Sequence, residues 1–346
     1  MVFGNTLPVG SSGLFASRVV GLGAGLAEDS SALSVARTCS TGCQAIASAA
    51  EQIMLGRSEL ALAGGEENYS RAPYVVNGAR WGLKRGEKAM EDSLDYCYCD
   101  PFDGEYMGGT AENLTEEFQY ERETMDVWAL MSQQRAGAAI SSGFLAQQIT
   151  PIEVPDDLGG GRGSRTFVTD ELPRPDITAK RLQKLKPPFH DGGKVTPGNS
   201  SSVTDRTAFM LVASRQRADE VGLAAEARIV DWATVGVPPR IMGIGPVPAI
   251  SKLLARNDLG VDDIDNFEIN EPFAVVNLHA EQQLSIPQQR ADLYGGGISI
   301  GHPPGATRVR MTMTAMHHLA DSQGRYAVIA MCMGAGQGMA TLIKRA

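Results

Sequence analysis

Cysteine is scarce in this chain: five residues in 346, with no recurring CxxC pair. So sparse and odd a count points to a reducing compartment. Cys97 and Cys99, in DYCYCD, have no second cluster to complete a zinc site, and they read as incidental. Long apolar runs are missing as well; none approaches the length of a membrane-spanning helix. The opening MVFGNTLPVGSS lacks the basic and apolar regions of a signal peptide. The expectation is a soluble, cytoplasmic protein with no membrane insertion. Positive charge is in deficit, with 31 Lys and Arg against 40 Asp and Glu and a net charge of -9. That balance argues against nucleic acid or an anionic membrane as the main partner. An anionic substrate would need a cationic pocket of its own.

Two glycine-rich stretches lack what their motifs require. VVGLGAGLAE at 19 to 28 has Gly21 and Gly23, but Leu26 stands where GxGxxG needs its third glycine, so a dinucleotide site is not expected. GGGRGS at 159 to 164 has no strand before it and no GK[ST] ending, and it is not a P-loop.

What remains is a globular composition, 43% apolar and 21% charged. The length suggests two domains or a duplicated core. Short apolar runs alternate with helical patterns in two regions. The first includes the strand LALA at 60 to 63, running into Gly64 and Gly65. The second resumes near residue 223 with ARIVDWATVGV, the helix PAISKLLARN, the strand DNFEIN, a helix from Glu271, the turn GGGISIGHPPGA, and a closing pair around YAVIAMC and GMATLIK. Between them, residues 70 to 202 hold two amphipathic helices and much glycine, proline and charge, which reads as loops and short elements laid over a core. A strand at 208 to 214 returns the chain to that core. The alternation in both halves predicts α/β layers with largely parallel sheets.

Four segments carry candidate chemistry. In RTCSTGCQAIASAAEQIMLG, residues Ile46, Ala49, Ala50, Ile53 and Met54 form one helical stripe ending near Gly56. Cys39 then sits at or before the first turn. The positive end of the helix would lower its pKa and favour a nucleophilic thiolate, although most free cysteines are simply buried. Cys43, one turn on, suits packing. NEPF at 270 to 273 follows a strand and so lies at the carboxyl edge of a sheet, where α/β enzymes place their sites. His302 lies between Gly301 and two prolines on a rigid turn. Cys332 ends a strand and precedes glycines whose N–H groups can approach a ligand.

Together these segments resemble the thiolase family of acyl-CoA acyltransferases, over nearly the whole chain. RTCSTGCQAI is similar to the family's nucleophile segment, AGGEENYSRAPY to AGGxExMSxAPY, and YMGGTAENL to MGxTAEN. GNSSSVTD resembles GNASGxND, MGIGPVPA and NEPFAVV match with little change, and GHPPGA and CMGAGQG resemble GHPxGA and CxGGGxG. GARWGLKRG at 78 to 86 is similar to the bacterial acetyl-CoA acetyltransferase or broad-range 3-ketoacyl-CoA thiolase branch.

The resemblance implies a duplicated αβα layered fold, an αβαβα sandwich. Residues 1–222 would form the N-terminal half, including a loop domain at about 70–202, and residues 223–346 the C-terminal half. It implies that Cys39 is the acylated nucleophile and Cys332 the acid and base. His302, with a water held by Asn270, would form one oxyanion site; the N–H groups of Cys39 and Gly334 would form the other. Glu271 and Gly301 would hold these loops. Met107, Arg174, Phe189, Ser201, Met242 and Phe273 would surround coenzyme A. CoA and acyl-CoA are substrates in such a protein, no cofactor or metal is permanently bound, and a homodimer or homotetramer is expected.

Several positions depart from the family pattern. The segment that MVFGNTLP resembles usually follows a strand, a helix and a connection, so the chain reads as starting late, by a misassigned start or as a fragment. Tyr106 stands where acetoacetyl-CoA-specific members often carry histidine, which weakens a short-chain-only assignment. Ser202, Arg206 and Arg308 replace family glycines; such an arginine would either crowd the pantetheine channel or offer charge to a CoA phosphate. Two alternatives follow. One is a non-catalytic acyl-CoA or lipid-binding relative, or a truncated inactive one. The other is a decarboxylating ketoacyl synthase type, against which Cys332 argues.

Overall fold

The computed structural model describes residues 1–155 and 163–346. The GGGRGS run falls mostly in 156–162, outside the described residues. In chain order the elements are β1 (Val2–Gly4), α1 (Ala16–Gly23), β2 (Leu33–Val35), α2 (Thr41–Met54), β3 (Leu60–Glu67), β4 (Tyr74–Val75), β5 (Glu91–Asp92), α3 (Asp95–Tyr98), α4 (Met107–Glu117), α5 (Arg122–Ser141), β6 (Ile152–Pro155), β7 (Ser164–Phe167), α6 (Ala179–Leu182), β8 (Arg206–Ala213) and α7 (Arg215–Glu220). There follow β9 (Ala227–Gly236), α8 (Pro246–Arg256), β10 (Asn266–Ile269), α9 (Ala274–Leu284), α10 (Gly297–Ile300), α11 (Pro304–Ser322), β11 (Tyr326–Met333) and β12 (Gln337–Arg345). No helix among the described residues is long and apolar enough to cross a membrane.

Two four-stranded sheets form the frame, in the orders β2-β1-β3-β8 and β10-β11-β12-β9. The first pairs β1 in parallel with β2 and β3, and β3 antiparallel with β8. In the second only β10 and β11 are parallel; β12 runs antiparallel to both β11 and β9. The largely parallel arrangement read from the strand–helix alternation therefore fails in the second sheet. The reason is local: only Gly334, Ala335 and Gly336 separate β11 from β12, and so short a link can join only antiparallel neighbours. Ala335 and Gly336 take positive φ angles of 63° and 77° to close it.

Helices α2 and α11 lie in the middle. Ala45, Ile46 and Ala49 of α2, with Ala306 and Val309 of α11, pack on Val2, Ala63, Ala208 and Val212 of the first sheet. Another face of α11, Met311, Ala315 and Leu319, packs on Ala327, Ile329 and Met331 of the second. The far face of the second sheet is covered by Ile250, Leu253 and Leu254 of α8 and Ala280 of α9. Buried apolar side chains on both faces of a sheet are what layered α/β cores require. Helix α2 forms readily because its interior is rich in alanine, and α11 begins with proline at its first position, where no N–H partner is needed.

Strand β3 runs past the expected LALA through Gly64 and Gly65 to Glu67. A Cβ on Gly64 would meet Ala208 O at 2.2 Å, and one on Gly65 would meet Gly4 O at 2.1 Å. Glycine extends the strand here because its neighbours leave no room for a side chain. Residues 70 to 202 also do more than overlie the core. Leu114 of α4 and Met125, Trp128 and Ala129 of α5 share a buried cluster with Phe273, Ala274 and Cys332 of the second half.

Candidate active site

The nucleophile segment is built by a strained turn. Thr38 holds a left-handed φ of 42°, a costly conformation for a β-branched residue. It is fixed by the Thr41 hydroxyl, which donates to Thr38 O (2.7 Å) and accepts from Arg37 N–H (2.8 Å). The turn leaves Cys39 half-buried just ahead of α2. The N–H of Gly334 and that of Cys39 itself both reach the sulfur and favour its thiolate; burial outweighs them, and Glu67 opposes them further. The Cys39 thiol is accordingly held above its ordinary pKa. That reverses the expectation from the helix terminus, because Cys39 packs against the apolar clusters of Met311, Met331, Met333 and Met339. Cys43 is buried, with its sulfur 3.1 Å from the Thr341 hydroxyl.

Cys332, the next-to-last residue of β11, has no exposed surface. Burial raises its pKa well above that of a free thiol, and the nearby Cys39 raises it further. The β11–β12 turn thus brings Cys332 and the Gly334 N–H to Cys39 across most of the chain.

Strand β10 carries Asn270 and Glu271 to the same edge. Asn270 N–H donates to Ala330 O (2.9 Å). Its carboxamide, 1% exposed, has neither atom partnered among the described residues. A buried amide with no protein partner is rare and is suited to a ligand or a water. Glu271 accepts from Trp128 Nε1 (3.1 Å), Ser132 Oγ (2.7 Å) and Ile298 N (3.1 Å). It thereby ties α5 to the glycine turn. Burial raises its pKa against those bonds.

His302 follows Gly301, whose φ of 89° suits only glycine. Its Nδ1 lies 2.8 Å from the Thr307 hydroxyl, and that hydroxyl donates to Pro303 O at 2.7 Å. With its one proton spent, Thr307 can only accept from the ring, so Nδ1 carries the hydrogen and Nε2 the lone pair. Nε2 is buried and has no partner among the described residues. Burial, then Arg310, pushes the His302 pKa down to about 3. The ring is therefore neutral.

Of the residues expected around CoA, Met107, Phe189, Met242 and Phe273 meet at Cys332 in one apolar cluster. Phe189 and Phe273 pack edge to face at 6.5 Å. A methyl group on Gly334 would sit 3.5 Å from Met107 Sδ. Ser201 lies beside them, its N–H bonded to Pro272 O (2.8 Å). Arg174 is exposed and outside this cluster, with its N–H on Gln133. Neither role considered for an arginine at the family's glycine position holds for Arg308. It is wholly buried, donating to Ile329 O, to Met339 O (3.0 Å) and to Thr341 Oγ1 (3.3 Å), between α11 and the second sheet. Arg206 pairs with Asp170 at 2.6 Å.

Two residues with a part in this geometry escaped the sequence reading. Thr307 sets the His302 tautomer, and its only signal was a hydroxyl one helical turn past the histidine. Glu67 lies inside AGGEEN but gives no hint there of bonding across to Gly305.

The comparisons agree with the architecture. The thiolase N-terminal domain matches residues 1–216 and the thiolase C-terminal domain residues 223–345. This α/β enzyme belongs to the thiolase family. A beta-ketothiolase of Cupriavidus necator is 40% identical, covering all of this chain and 87% of that protein. The mitochondrial 3-ketoacyl-CoA thiolase of Homo sapiens is 38% identical over 99% of the chain and 86% of its own length. The crystal structure of the human enzyme superposes with a TM-score of 0.96 over the whole chain and 87% of its own, and its complex with CoA with 0.95.

Proposed function

We infer that the protein is an acyl-CoA C-acyltransferase that cleaves 3-ketoacyl-CoA with CoA, or condenses two acetyl-CoA, through an acyl-Cys39 intermediate. The observation that carries this reading is Cys39 packed against the clusters that hold Met331 and Met333, the two neighbours of Cys332 in β11, with Cys39 near enough to raise the proton affinity of Cys332.

The chemistry follows from the protonation states. Cys39 starts as a thiol, and neutral His302 presents a lone pair at Nε2. As the sulfur attacks the 3-keto carbon, its proton passes to Nε2, which then donates toward the developing oxyanion beside Asn270. Collapse breaks the bond between C2 and C3. The departing acetyl-CoA enolate takes the proton of Cys332, which its raised pKa keeps available. The Cys332 thiolate next removes the thiol proton of incoming CoA, whose sulfur attacks the Cys39 thioester. Its carbonyl oxygen lies against the N–H groups of Cys39 and Gly334. Cys39 leaves and regains its proton from His302, which closes the cycle.

Met107, Phe189, Met242 and Phe273 supply apolar walls for pantetheine, with Ser201 beside them. Arg174, at the surface, would meet the charged end of the carrier. Residues 1–222 and 223–346 act as the two thiolase halves. The protein works in the cytoplasm as a homodimer or homotetramer, in keeping with its family resemblance and its low cysteine content.

Intact mass after brief exposure to acetoacetyl-CoA tests the central step. An acetyl adduct on the native chain, missing from Cys39→Ala, is expected; a folded, CoA-binding native chain without the adduct would overturn the assignment.

A further inference from the structure

Helix α11 has an unusual start. Its N-cap is Pro303, which has no side chain able to accept a hydrogen bond; Pro304 has no N–H, and the N–H groups of Ala306 and Thr307 donate to Pro303 O, so the Gly305 N–H needs a partner from elsewhere. It comes from the other half of the molecule. Glu67, at the carboxyl end of β3 and 2% exposed, accepts from Gly305 N–H at 3.0 Å. The same oxygen accepts from Thr6 N–H (3.0 Å) and the Thr6 hydroxyl (2.7 Å), past the end of β1. One carboxylate oxygen thus joins the carboxyl ends of two parallel strands of the first sheet to the helix that begins two residues after His302. The other oxygen, Oε2, is buried with no partner among the described residues.

The backbones around this junction are in direct contact. A Cβ on Gly305 would meet Glu66 O at 2.3 Å, and one on Gly42, one turn from Cys39, would meet Gly305 O at 2.6 Å. A shift of the Pro303–Gly305 turn is therefore passed to both the His302 ring and the start of α2. The charge on Glu67 also bears on the nucleophile, because it opposes ionisation of Cys39.

We propose that Glu67 is a positioning residue for acyl transfer: as a remote cap on α11 it fixes the His302 turn against the Cys39 loop and sets a buried carboxylate at that junction. The proposal rests on the assignment of Cys39 as nucleophile. A carboxylate near a helix N terminus is favoured by the helix dipole, and here it also crosses between the two halves. Tyr69, Cys97, Tyr98 and Cys39 are the titratable groups around it; burial raises the pKa of each, and Glu67 adds to the rise. No cation is among them. Burial, opposed by the Thr6, Gly305 and Leu7 bonds, brings Glu67 itself to about 7. Its charge therefore appears within the working pH range, and Cys39 becomes harder to ionise as it does.

The test uses the full chain with two variants. Iodoacetamide alkylation at Cys39, read by peptide mass between pH 6 and 9.5, reports the thiolate directly. Glu67→Gln keeps an acceptor for Gly305 and Thr6 but removes the charge, so alkylation at pH 8 should rise about threefold and its midpoint move to lower pH. A residue that only held the fold together would leave that profile in place. Glu67→Ala removes the cap as well, and kcat for thiolysis should fall about tenfold with KM within about twofold of the native value. A Glu67→Gln profile superimposable on the native one, or a native-like kcat in Glu67→Ala, overturns the proposal. Should Glu67→Ala fail to fold, the Glu67→Gln profile decides alone. Acylation of the native chain by acetoacetyl-CoA is run alongside; if that is missing, the nucleophile assignment fails and not merely the role of Glu67.

Discussion

His302 Nδ1, two residues ahead of α11, and the Thr307 hydroxyl in its first turn lie 2.8 Å apart, and the hydroxyl's own proton is committed to Pro303 O. This pair fixes which ring nitrogen can act as a base. Thr307→Val removes the acceptor for Nδ1–H without changing the shape of the side chain much. Both tautomers then become accessible, and the ring can turn. The expected result is a fall in kcat of about tenfold to a hundredfold, with KM for the acyl-CoA little changed. Steady-state thiolysis of acetoacetyl-CoA measures it, and an unchanged kcat would show that the tautomer is held by other means.

The pH dependence of the nucleophile follows from the same geometry. His302 stays neutral at every pH above about 3, so it contributes no inflection near the usual histidine range. Cys39 is held above an ordinary thiol mainly by burial. Alkylation of Cys39 in the substrate-free protein should therefore keep rising with pH beyond the point at which a free cysteine peptide levels off. A plateau near neutral pH would instead indicate a preformed thiolate–imidazolium pair.

Buried carboxyls make a separate prediction about stability. Glu268, fully buried 3.8 Å from Arg310, is pushed up to about 8 by burial, with Arg310 opposing and Glu271 adding to the rise. Glu281 reaches about 7, again chiefly by burial. In the unfolded chain such groups titrate near 4.5. The folded state therefore holds more protons than the unfolded state across this window, and the stability contributed is present below about 4.5 and lost as pH rises through 7 to 8. The urea midpoint should be lower at pH 8.5 than at pH 5.5, and Glu268→Gln should narrow the difference. Equal midpoints in the native protein would mean that Glu268 ionises without penalty.

Arg308 serves the fold. Its guanidinium satisfies Ile329 O, Met339 O and Thr341 Oγ1 from inside the core. Arg308→Ala leaves those acceptors unpaired and opens a cavity, at an expected cost of about 3–5 kcal/mol in unfolding free energy. Protection of the folded variant by CoA against heating should remain, because the side chain lies away from the apolar cluster around Cys332. Loss of CoA protection with full stability retained would reverse this assignment.

Much of the site was legible because it is written in short segments. Cys39 before α2, Asn270 after β10 and His302 on its glycine turn each announce themselves through a local break in periodicity. The sheet topology was less legible, since a three-residue link between two apolar runs carries no direction until the strands are seen to pair. Arg308 misled for a related reason: its partners are backbone carbonyls of β11 and β12, and a carbonyl has no signature in a sequence. Glu67 and Gly305 likewise meet only because β3 and α11 do.

Cys332 and Cys39 differ sharply in access, the first having no exposed surface and the second being only half-buried. An oxidant in solution therefore meets one site thiol and not the other. Peroxide would convert the fraction of Cys39 present as thiolate to a sulfenic acid, which the neighbouring Cys332 thiol can condense with, releasing water, to give a disulfide that a small dithiol reductant reopens. The layering that keeps Cys332 ready as an acid also places the first oxidation at Cys39 with a second thiol beneath it, so inactivation stays reversible until Cys39 passes to the sulfinic state.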